Sequence, residues 1–178
     1  MISLIVLFWL YVALFGIIGG IRGWAKELLV SVSVILAIFF LTVLEVFAPD
    51  LREILTMGKS IGLFWLRVMV LLVLVLFGYQ TPNIQRLAQN NRFVRERLQD
   101  VLLGIFIGLV NGYLVVGSIW SFLDSANYPF HKIVTEPTGD LGALVDIYVK
   151  FLPPAFLGSP EIYFAVAVAF AFVLVVFI

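Results

Sequence analysis

The sequence predicts an all-α integral membrane protein: one transmembrane domain over residues 1–178, a bundle of about five transmembrane helices with an amphipathic surface helix in its outer loop. Three observations predict it. Twenty uncharged, mostly apolar residues run from Ile2 to Ile21; at a rise of about 1.5 Å per residue they cover about 30 Å, the hydrocarbon thickness of a bilayer. Hydrophobic residues make up 63% of the chain and charged residues 12%, with a mean hydropathy of +1.15, more apolar surface than a water-soluble domain of 178 residues can hide. Further apolar runs follow at 28–48, 61–78, 101–122 and 162–178.

The first run lacks a basic n-region, exceeds the length of about 7–15 residues usual for a signal-peptide core, and has no A-x-A-like site before Arg22. It therefore reads as a retained helix. Its positive charges, Arg22 and Lys26, follow it, which puts the N-terminus outside and the next turn in the cytoplasm. Gly16, Gly19, Gly20 and Gly23 form two overlapping G-x-x-x-G pairs, a smooth strip on which another helix can approach closely.

The second run, 28–48, carries Glu45 near its outer end, and the third, 61–78, carries Arg67 about two turns in. Both charges then fall in the outer third of the bilayer. They can form an intramembrane ion pair, or Arg67 can snorkel to the headgroups alone. The cytoplasmic loop 79–100 follows, short and cationic. Its Arg86, Arg92, Arg95 and Arg97 are candidates for contact with anionic headgroups, at about 1 kcal/mol each near the surface. The alternative is a patch that binds a specific partner.

In the fourth run, 101–122, Gly104, Gly108 and Gly112 repeat every four residues beside Asn111. An unpaired amide in hydrocarbon is costly, so Asn111 should hydrogen-bond to another helix. The two glycine strips can pack within one chain or form a subunit interface. The outer loop, 123–161, contains apolar residues at helical spacing, Leu141, Leu144, Val145, Tyr148 and Leu152, before Pro153-Pro154 stops the helix. That helix should lie flat on the outer face, cap the bundle or dock on a neighbour. The last run, 162–178, reaches about 25 Å. A full crossing puts the C-terminus in the cytoplasm, whereas a re-entrant or surface-lying helix would return it outside.

Composition also bounds the chemistry. A formal net charge of zero removes an electrostatic case for nucleic acid, and the lack of cysteine removes disulfides, thiol catalysis and cysteine metal sites. The single histidine, His131, falls in the outer loop, and no acid pair or phosphate-cradling glycine motif is present. No catalytic residue, metal ligand or required cofactor is read from the sequence. Lipid, quinone or carotenoid could still sit in grooves lined by the 17 phenylalanines, six tyrosines and four tryptophans.

The stretch Gly20-Ile21-Arg22-Gly23-Trp24-Ala25-Lys26-Glu27-Leu28-Leu29 resembles the R-G-x-x-x-E-x-L signature of the colicin V production protein (CvpA) family. The stretch from Arg97 through Leu103-Gly104 to Gly108 and Gly112 resembles that family's second, glycine-rich motif. The resemblance covers about residues 1–124. Asn111 stands where the family often has a basic residue, and the final apolar run goes beyond its usual four-helix plan. The resemblance implies a small, non-enzymatic protein of the bacterial inner membrane, associated with bacteriocin production and envelope homeostasis. It also implies that Arg22, Gly23 and Glu27 act as a structural unit, with Glu27 offsetting Arg22 or Lys26 while Gly23 permits a tight turn.

Three functional expectations follow. The first is a scaffold or accessory subunit of a larger bacterial membrane complex, respiratory or photosynthetic. The second is a CvpA-like protein that assembles with itself. The third, a small carrier or channel, needs a polar path that these spans supply poorly. Membrane lipids and either other subunits or further copies of the chain are the expected partners.

Overall fold

The structure, a computed structural model, describes residues 4–47, 61–80, 94–130 and 140–177. All regular structure among them is helical: α1 (Leu4–Arg22), α2 (Trp24–Phe47), α3 (Ile61–Tyr79), α4 (Val94–Ser125), α5 (Asp140–Lys150), α6 (Pro153–Phe156) and α7 (Glu161–Phe177). Four are long and apolar enough to cross a membrane: α1, α2, α3 and the stretch Arg97–Ser125 of α4. By that measure this is a multi-pass membrane protein. The 17-residue α7 is a shorter apolar helix.

Gly23 ends α1. Its φ of +87° lies in the left-handed region that L side chains avoid, and its N–H closes the helix on the Gly19 carbonyl at 2.9 Å. The chain then re-enters helix at Trp24, four residues before the apolar run predicted the second helix would start. An unsatisfied donor of that new N-terminus, the Trp24 N–H, reaches the Asp100 carboxylate of α4 at 3.2 Å. Asp100 thus supplies from a distant segment what a local capping residue would normally supply.

α1 and α4 run antiparallel along their glycine strips. Gly16 faces Leu109, Gly20 faces Ile105, Gly112 faces Val12, and Gly19 lies against Gly104 and Gly108. α2 packs on α3 and α4, where Val30, Val34, Ala37 and Leu41 meet Leu71, Val75, Val115 and Phe122 in one buried cluster. In lipid such contacts gain little from hydrophobic transfer. Close packing and dispersion hold the helices together.

Two outer elements complete the fold. α7 lies on α2, with Ile162 fully buried and the Phe39 and Tyr163 rings 6.0 Å apart. α5 turns its apolar side toward α1 and α4: Val145 is buried in a cluster with Phe8 and Trp120, and Tyr148 stacks on Trp120 at 6.2 Å. Among the arrangements expected for this amphipathic helix, the structure places it against the bundle.

Candidate functional site

Where the glycine strips hold α1 against α4, polar side chains from the α1–α2 turn, the end of α3 and the middle of α4 meet. At the α1–α2 turn, Arg22 Nη1 donates to Glu27 Oε1 at 2.6 Å, and Nη2 donates to the Tyr79 carbonyl at the end of α3 at 3.1 Å. The guanidinium also lies 4.3 Å from the Tyr79 ring centroid, within cation–π range. On the other side of the carboxylate, Asn111 Nδ2 donates to Glu27 Oε2 and to the Glu27 main-chain carbonyl, each at 2.8 Å. Ser31 Oγ closes the network by donating to Asn111 Oδ1 at 2.6 Å.

Glu27 and Asn111 are fully buried, and the Arg22 side chain is 20% exposed. A carboxylate withdrawn from water this completely needs both a counter-charge and filled lone pairs. Arg22 provides the first, and Arg22 and Asn111 together fill one site on each oxygen. The result is a closed clasp joining α1, α2, α3 and α4. Beside it, the Tyr79 hydroxyl is buried with no hydrogen-bond partner among the described residues.

A second polar contact lies toward the other end of the bundle. Arg67 Nε and Nη2 both reach Glu45 Oε1, at 2.8 and 2.7 Å, and the guanidinium lies 5.7 Å from the Phe122 ring centroid. Of the two arrangements open to Arg67 from the sequence, the structure has the ion pair. It links α2 to α3 over a side chain of α4.

The glycines sort by what a methyl group would meet. At Gly19, Gly104 and Gly108 it would collide with the backbone of the facing helix, and at Gly112 it would come within 2.9 Å of the Val12 Cα. At Gly16 and Gly20 its close contacts would be with side chains, those of Leu109 and Ile105, and the facing backbone would lie no nearer than ordinary van der Waals contact. The seam is therefore closest at Gly19–Gly104–Gly108.

Of the headgroup-contact candidates, Arg86 and Arg92 lie outside the described residues, as does His131. Arg95 belongs to the first turns of α4, and Arg97 is exposed there. Tyr79, Asp100 and the hydrogen bond of Ser31 were missed from the sequence. The only signal was a polar-tipped aromatic at the end of an apolar run, a position aromatic residues often take at a membrane interface.

Among the described residues, one apolar groove of about 330 Å³ lies between α2 and α3, lined by Phe40, Met69, Val70, Val73 and Leu74. Another, of about 260 Å³, opens where α1, α4 and α5 meet, between Phe8, Trp9, Tyr113 and Tyr148. Among the described residues no group of three or more His, Cys, Asp or Glu side chains could hold a metal ion. Compared with protein-family models, curated proteins and solved structures, the chain finds no match.

Proposed function

We propose that this chain is a non-enzymatic scaffold or accessory subunit of a larger complex in the bacterial inner membrane, respiratory or photosynthetic, with α7 as a fifth crossing and the N-terminus outside. One observation carries the reading. The charged and amide side chains at membrane depth turn toward one another, while the outward faces carry large apolar side chains such as Leu10, Ile17, Phe77, Phe106 and Phe164. Apolar faces of this kind are available to lipid, quinone, carotenoid or a neighbouring subunit.

The test is native mass spectrometry of the protein drawn from its own membrane in mild detergent. Unlike subunits in a defined mass are expected. A lone homo-oligomer would overturn this reading in favour of the second, a CvpA-like protein that assembles with itself. The contact of Arg22 with Glu27 across the Gly23 turn supports that second reading, because it joins the residues on which the resemblance rests.

A further inference from the structure

We propose that Asp140–Gly158 dips into the bilayer beside α1 and α4, so that the tip formed by α6 rests against lipid acyl chains.

The register shows how far the segment descends. Tyr148 stacks on Trp120, a methyl group on Gly117 would meet the Pro153 ring, and Phe156 stacks on Tyr113 at 6.5 Å with the rings 20° apart. As the segment advances from 148 to 156, its partners on α4 move back from 120 to 113, toward the middle of that helix. At about 1.5 Å per residue, Gly117 and Tyr113 lie about 8 and 14 Å below Phe122, where the apolar run ends. The hydrocarbon layer is about 30 Å thick. The tip therefore reaches toward its middle. α1 agrees, since Leu152 is buried in a cluster with Phe8 and Val12, and Val12 lies near the centre of α1.

The second argument is the chemistry of the break. Backbone that leaves helix at membrane depth must have its polar groups satisfied, because no water is there to do it. The N–H groups of Phe151 and Leu152 close on the carbonyls of Tyr148 and Val149. Pro153 and Pro154 then restart the helix with no N–H to satisfy. The N–H groups of Ala155 and Leu157 return to the carbonyls of Leu152 and Pro153, and the Phe151 carbonyl accepts the Tyr113 hydroxyl. A turn in water would not need donors removed in this way.

The outer side of the tip is apolar. Phe151, Ala155 and Phe156 are exposed, and Phe151 lines the same apolar groove as Trp9 of α1. Such a surface at this depth fits hydrocarbon.

The chain has no cysteine, so single cysteines report position cleanly. Ala155→Cys and, as a reference near the start of α5, Ala143→Cys would be reconstituted in phosphatidylcholine vesicles and freeze–thawed to admit reagents to both faces. A charged maleimide should label the reference readily and Ala155→Cys at least tenfold more slowly, with equal labelling after detergent. A nitroxide at Ala155→Cys should collide more often with oxygen than with a nickel chelate. Labelling as fast as the reference, or chelate collisions in excess, would return the tip to water and overturn the proposal. Low collision rates with both would place it against protein, which also overturns it. Phe151→Cys, two-thirds exposed in the structure, repeats the measurement if Ala155→Cys does not fold.

Discussion

Glu27 is the residue on which the polar interior turns. Its carboxylate receives Arg22 on one oxygen and Asn111 on the other, and its own carbonyl receives Asn111 again. Glu27→Ala would leave a partly buried guanidinium without its counter-charge and a fully buried amide with only the residue-27 main-chain carbonyl to donate to, a change that costs about 3–5 kcal/mol when one member of a buried pair is removed. Asn111→Leu strands no charge and should cost about 0.6–2 kcal/mol, the range of interhelical hydrogen bonds in membranes. Thermal unfolding of the detergent-solubilised protein measures both. If Glu27→Ala unfolded within 0.5 kcal/mol of the unaltered chain, the clasp would not be what joins these helices. Asn111 was marked in the sequence by its type at the middle of an apolar run, whereas Arg22, Gly23 and Glu27 were marked as a unit by the resemblance to the CvpA signature. Asp100 was one acid among several charges, and its contact with Trp24 spans 76 positions, a separation that no local period encodes.

At the level of elements, hydropathy located the four long helices but not their ends. Hydropathy reports the solvent a residue prefers, whereas a helix ends where backbone hydrogen bonding fails. Trp24–Glu27 is polar enough to look like a loop, yet it is helix, because Arg22 neutralises Glu27 and Asp100 receives the Trp24 N–H. α4 likewise begins at Val94, with seven residues of charged helix before its apolar part. The glycine strips were legible as close-packing surfaces, and the fold brings them together. Their unequal closeness was not legible, since equal spacing in sequence gives no crossing point. That inequality is testable. Gly19→Ala should destabilise by about 1–3 kcal/mol, as overpacking against a fixed backbone does, whereas Gly20→Ala should cost clearly less because the Ile105 side chain can move. Parallel unfolding curves of the two variants decide it; equal losses would mean that the helices part as easily at one position as at the other.

For the whole molecule, stability and assembly should be separable, because the surfaces that hold the helices together are not those left facing outward. The glycine seam, the Glu27 clasp and the Glu45–Arg67 pair are all used within one chain. α7 contributes Ile162 and Ala169 to packing and leaves Phe164 and Val168, one helical turn apart, largely exposed. In a scaffold, that outward stripe is where a neighbouring subunit would lose its contacts first. Phe164→Ala combined with Val168→Ala should leave the unfolding of the isolated chain within about 0.5 kcal/mol, as surface changes usually do. The same double substitution should lower the yield of unlike subunits recovered with the protein in mild detergent. Under the proposed scaffold role Gly19→Ala should do the reverse, weakening the chain while the yield of unlike subunits is kept. If the α7 substitutions changed stability but not recovery, the outward stripe would belong to the fold, and a contact surface for the proposed scaffold role would have to be sought on α1, α3 or α4.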